Sequence, residues 1–176
     1  MNLKLISLII ISCIVFYSCT NSNAGIKSNF TKLYSVKEKE DSVNGPASDC
    51  DPNLWKYVYD ASRLQVLDKC KTVTGVIEET NADNDGDQHM LLRLDKGQKD
   101  LLTKKNKIKK QGDLVIEAVC INNITRKKAM GACTGYVNHV TLPEVGDHVK
   151  VTGSYVIDSH NGWAEIHPIT KIEKIK

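Results

Sequence analysis

The run Thr72-Val73-Thr74-Gly75-Val76-Ile77-Glu78 is rich in β-branched residues and alternates on either side of a single glycine. Successive side chains of an extended chain point to opposite faces, so this pattern predicts a strand with one face turned to a core. Working outward, Gln88 to Asp95 alternates around Met90, Leu92 and Leu94, and the turn-rich stretch Asn81 to Asp87 separates the two. Leu114 to Cys120 reads as a third strand, His148 to Asp158 as a fourth and Trp163 to Ile175 as a fifth. Asp51-Pro52 followed by Asn53 to Ala61 predicts a capped short helix, because proline suits a first helical turn. A second short helix is expected within Arg126 to Cys133.

Five strands, a glycine inside the first, a connection between the third and fourth, and the turn Pro143-Glu144-Val145-Gly146-Asp147 leading into the fourth together resemble an OB-fold. Gly75 and Gly153 fit the sharp bends of a small barrel, where a side chain would obstruct coiling of the strands. The expected fold class is therefore all-β, a five-stranded OB-like Greek-key barrel with one or two short helices. The blocks Ser62-Arg63-Leu64-Gln65-Val66, Cys70 to Gly75, Asp85 to His89, Gly112 to Glu117, Val151 to Val156 and His160-Asn161-Gly162-Trp163-Ala164-Glu165-Ile166-His167-Pro168 go further. In that order they resemble a family of uncharacterised secreted prokaryotic proteins with an OB-like barrel and a C-terminal His-Gly-Trp-x-Glu-Ile-His-Pro type motif. Asn161 stands between the histidine and glycine of that motif here. The resemblance covers about residues 49 to 176 and implies a fold, with the four later cysteines placed as in such proteins, but no activity.

With 176 residues, 41% apolar and 26% charged, the chain holds one ordinary domain, which excludes a large multidomain enzyme, a disordered chain and a coiled coil. Its start has a different character. Lys4 precedes a run of 13 residues, Leu5 to Tyr17, which matches a signal peptide and falls short of a bilayer span. The sequence Ser18-Cys19 ends that run and resembles a bacterial lipobox, although Phe16 stands where the motif usually has Leu, Val or Ile. The expected organisation is a signal peptide over residues 1–18, a lipid-anchored flexible tether over 19–48 and the barrel over 49–176. Acylation of Cys19 would make the membrane a partner and the cell envelope the address; ordinary cleavage nearby would release a secreted protein.

Removal of Cys13 with the signal and acylation of Cys19 leave Cys50, Cys70, Cys120 and Cys133, an even number suited to an oxidising compartment. Four cysteines allow three pairings. Cys50 with Cys70 and Cys120 with Cys133 are expected, since each closes a short loop. No close Cys-x-x-Cys pair supports a structural zinc site instead.

In an OB-like barrel the loops joining strands one to two and four to five flank the ligand face. The first offers Asp83, Asp85, Asp87 and His89; the second offers Asp158 and His160, with Glu165 and His167 following on one face of the fifth strand. These carboxylates and imidazoles are the candidate ligand or metal site, and a divalent metal is the one cofactor they suggest. Asn81, Asp83, Asp85 and Gly86 mimic the start of a calcium loop, but Leu92 occupies the twelfth position where a bidentate glutamate is required, so no EF-hand is present. An acidic turn that bonds its own backbone is the competing reading. For His167, the competing reading is a structural histidine bonded to a backbone carbonyl, and for Trp163 a plug at the barrel end.

Between Lys96 and Asp113 lies a basic protrusion whose Lys104, Lys105, Lys107, Lys109 and Lys110 are candidate anion-binding residues. A polyanion would suit it, but a solvated loop that keeps an exported protein soluble is the preferred reading. The run lacks the interleaved aromatics on which single-stranded nucleic acid stacks, so nucleic acid is not the expected partner. Arg63, Arg93 and Arg126 are scattered, with Arg63 ahead of the barrel and Arg126 in a connection, so the sequence argues for no convergent phosphate clamp and no catalytic residue is assigned. An exported binding module of unknown ligand is the leading expectation. A metal-dependent hydrolase on the same loops and a structural envelope protein are the alternatives.

Overall fold

The computed structural model of this chain describes residues 49–176. The expected signal peptide, Cys19 and the expected tether up to residue 48 lie outside the described residues. Five strands, β1 (Leu64–Ala82), β2 (Gln88–Leu94), β3 (Leu114–Ala118), β4 (His148–Asp158) and β5 (Ala164–Lys174), form one sheet. Its order is β1-β2-β3-β5-β4, and β4 returns to β1, so the sheet closes on itself. All neighbours run antiparallel except β3 and β5, which run parallel with Val115 beside Glu165 and Ile116 beside Ile166.

Alternation explains the interior. Val73 and Ile77 of β1, Met90 and Leu92 of β2, Leu114 and Ile116 of β3, Val149 and Val151 of β4, and Ile166 and Ile169 of β5 fill one core and are almost fully excluded from water. β1 belongs to two pairings: its first part meets β4 from Leu64 to Val76, and its second part meets β2 from Gly75 to Ala82. Gly75 lies where the two overlap, with the Arg93 carbonyl packed against its Cα, and Gly153 of β4 packs the same way against the Pro168 carbonyl and Ile166. A Cβ at either position would collide with backbone, which accounts for the glycines expected at the bends.

A second cluster covers one end of the sheet. Leu54, Val58, Leu64, Val119 and Val156 pack together there, flanked by Trp55 and by Tyr57 stacked on Tyr136 with ring centroids 4.1 Å apart. Both expected disulfides are present, Cys50–Cys70 and Cys120–Cys133.

Three local expectations are corrected. The expected capped short helix is a 3-10 helix, Pro52–Tyr57, capped by Asp51, and it stops at Tyr57 rather than running to Ala61. β1 begins at Leu64, eight residues before Thr72, because Gln65 to Lys71 is largely exposed and polar and is held extended by its pairing to β4 rather than by its own pattern. Within Arg126 to Cys133 the helical content is one 3-10 turn, Lys127–Ala129, whereas the α-helix, α1 (Lys104–Lys109), lies inside the stretch expected as a basic protrusion. Thr103 caps α1 in a capping box with Asn106. Asn106 is fully buried, and its amide donates to the Asp113 and Ala164 carbonyls and accepts from the Ala164 amide, which fastens α1 to the beginnings of β3 and β5.

Candidate functional site

The β1–β2 and β4–β5 loops lie at the same end of the sheet and line one cleft of about 450 Å³, with Asp83, Asp85, His89, His160 and Glu165 all on its walls. The two loops are held in different ways. In the first, the Asp83 amide donates to the Asp87 carbonyl at 2.9 Å and the Gly86 amide to the Asp83 carbonyl at 3.1 Å. In the second, buried Asp158 accepts from the amides of His160 at 2.7 Å and Asn161 at 3.1 Å, from the Asn161 side chain at 2.7 Å, and from Arg63 at 2.6 Å. The second loop is thus a turn in which a short acidic side chain satisfies backbone donors, whereas the bonds of the first join main chain to main chain.

The cleft is unequal in charge. Asp60, Glu79, Asp83, Asp85, Glu117, Asp158 and Glu165 line it against Arg63, Lys110 and Arg126. Burial and the neighbouring Glu117 raise the pKa of Asp83 above its ordinary value. Arg126 approaches Asp85 at 3.8 Å and lies 5.5 Å from the Tyr59 ring, and it remains half-exposed. The sequence expectation that the arginines do not converge is corrected here: Arg63 and Arg126 face the same cleft, because the 3-10 turn before β1 and the connection after β3 both run along its rim.

Asp87 and His167 lie behind the cleft. His167 is fully buried on β5; its Nδ1 lies 2.9 Å from Glu117 Oε2 and 3.3 Å from Glu165 Oε2, and its Nε2 lies 3.6 Å from Asp87 Oδ2. Glu165 in turn accepts from the Trp163 indole N–H, and Asp87 Oδ1 accepts from the Cys120 amide at 3.0 Å. The backbone-carbonyl reading of His167 is therefore replaced by a carboxylate cluster. Burial pushes the Asp87 carboxyl up to about 7, with Asp85 and Glu117 adding to the effect while His167 and the Cys120 amide oppose it. Burial disfavours a charged imidazole, but Glu117 and Glu165 overcome it and raise the His167 pKa well above the usual histidine value.

Glu117 is the residue that sequence reasoning missed. It stands in the buried run Leu114–Ala118, where period-two alternation puts it on the face opposite Leu114 and Ile116. A charged side chain inside an otherwise apolar strand was the available signal. The parallel pairing of β3 with β5, which carries it to His167, was not visible in either strand alone.

The basic candidates divide. Lys104, Lys105, Lys107 and Lys109 of α1 are exposed, whereas Lys110 turns into the cleft, 4.1 Å from the Trp163 ring and 3.0 Å from His89 Nε2. Trp163 thus forms a wall of the cleft rather than a plug. The chain matches no family model, and no curated protein is a match for it.

Proposed function

We propose that this protein is an exported, cell-envelope binding module built on an OB-like barrel, which holds a small ligand bearing a cationic group in the cleft between its β1–β2 and β4–β5 loops. The observation that carries this reading is the excess of carboxylates on the cleft walls, seven against three basic side chains. Burial chiefly raises the Asp83 pKa, and a cationic ligand would offset the further contributions of Glu117 and Asp85. Trp163 and Tyr59 already carry Lys110 and Arg126 against their rings, so an ammonium or guanidinium group of the ligand would take the place of one of these side chains there. Support for the barrel assignment comes from the closed strand order and the single parallel pair, β3 with β5. The signal-like start supports the address, with Cys19 as the lipid anchor.

Calorimetric titration of the full chain with amino acids, polyamines and cationic peptides tests the cleft. A cationic compound should bind with an affinity that falls as salt rises, and Asp85→Ala together with Glu79→Ala should weaken it. Absence of binding at millimolar concentrations across those classes would remove this reading. For the address, Cys19→Ala should abolish acyl labelling and release the protein into the medium; unchanged retention in the membrane would count against the anchor.

One observation favours a second reading, a metal-dependent hydrolase of phosphate esters. Arg126 reaches the cleft half-exposed beside Arg63, where a phosphate could lie against both. Turnover of a phosphodiester that requires a divalent cation and falls with Arg126→Ala would establish it over the binding module.

A further inference from the structure

Three carboxylates and one imidazole meet in the interior behind the cleft. Asp87, Glu117, Glu165 and His167 each retain less than a tenth of their exposure. A carboxylate removed from water needs a compensating charge. Three carboxyl groups share one imidazole here, and Arg63, whose charge acts on Glu117 and Glu165, is engaged by Asp158 at 2.6 Å. The cluster also has an open valence. His167 Nε2 is fully buried and has no hydrogen-bond partner, and it faces Asp87 Oδ2 across 3.6 Å.

We propose that Asp87, Glu117 and His167 form a binding site for a divalent transition-metal ion, of the zinc or manganese kind, at the floor of the cleft. One donor atom from each of the three lies within 4.8 Å of the others. Ligands about 2.0–2.2 Å from a shared ion can be at most about 4.4 Å apart, so the separations are near those of a coordinated set, and Glu117 would have to turn from Nδ1, where it lies at 2.9 Å, toward the Nε2 side to complete it. One nitrogen with carboxylate oxygens suits zinc or manganese, whereas calcium takes six to eight oxygens, which this small pocket does not provide. Glu165 has a positioning role. Once Glu117 turns to the ion, Nδ1 is left to donate to Glu165 at 3.3 Å, Nε2 becomes the nitrogen that carries the lone pair toward the ion, and Trp163 fixes Glu165 from the other side. The ion would take over the charge otherwise supplied by the proton on His167. Its way in is the cleft, since Glu117 and Glu165 line both the cleft and the cluster.

Metal analysis of the full chain after dialysis, combined with thermal melting in the presence of zinc, manganese, magnesium, calcium or a chelator, decides the matter. We expect about one equivalent of zinc or manganese per chain, a melting temperature raised by that ion and lowered by the chelator, and neither effect from magnesium or calcium. Glu165→Gln should weaken the binding about 10- to 100-fold while leaving the ion's identity unchanged. His167→Gln should abolish it, and if that variant does not fold, Glu117→Gln should show the same loss. Wild-type protein that carries no metal and whose melting responds to none of the four ions would overturn the proposal, as would stabilisation by calcium alone. Although the ion is reached through the cleft of the proposed binding module, the two readings fail separately. Metal retained by a protein that binds no cationic compound refutes the module alone, and cationic ligand bound by a metal-free protein refutes the metal site alone.

Discussion

Asp158 illustrates how much one buried carboxylate organises. It is almost fully excluded from water, yet it is satisfied by Arg63, by two loop amides and by the Asn161 side chain. Its removal leaves Arg63 without a partner in a partly desolvated site and frees the amides of the β4–β5 loop. Asp158→Ala should therefore destabilise the protein by about 3–5 kcal/mol, the usual cost of breaking a buried pair, as read from urea unfolding. Hydrogen exchange at His160 and Asn161 should accelerate in the same variant. A loss under about 1 kcal/mol with unchanged exchange would mean that the loop is held by other contacts.

Elements carried most of what the sequence could be read for. Strands β2 and β4 lie almost where their alternation puts them, since each has one face in the core and the period of two follows directly. The first half of β1 was illegible because its exposed residues have no apolar rhythm and depend on a partner distant in sequence. Helix α1 was missed for a related reason: its six residues, Lys-Lys-Asn-Lys-Ile-Lys, look like a solvated charge run, and the residue that fixes the helix is a buried asparagine. Asn106→Ala would orphan the Ala164 amide and two carbonyls, at a cost of at least about 1–3 kcal/mol, and Ala164 should lose its protection in hydrogen exchange. Unaltered protection there would show that α1 is not held by this side chain. The site followed the same division. Asp83, Asp85, His89, His160 and Glu165 share a cleft because loop-to-loop proximity follows from the fold class, but Glu117 and the inward turn of Lys110 depend on the pairing of β3 with β5 and on the seat of α1.

Across the whole molecule, the two disulfides do different work. Cys50–Cys70 spans 20 residues and ties the segment ahead of the sheet to β1, while Cys120–Cys133 spans 13 and follows β3. Loops of these lengths imply about 3 kcal/mol of stabilisation from each. The functional consequences should differ more. Cys120 holds Asp87 through its amide, so replacing Cys120 and Cys133 together by serine should impair both cleft and cluster, whereas replacing Cys50 and Cys70 should lower stability in urea and leave ligand and metal binding intact. Equal losses of binding in the two double variants would contradict this. The closed sheet has a further consequence for aggregation. Closing the ring pairs each strand with two neighbours over part of its length, but among the described residues β1 ahead of Gly75 has a strand partner on one side only. That stretch is interrupted by irregular register on both sides of Asp68, carries Lys69 and Lys71, and is tied down through Cys70. The exposed Val66 and Leu67 therefore sit on a border too kinked and too charged to template a fibril.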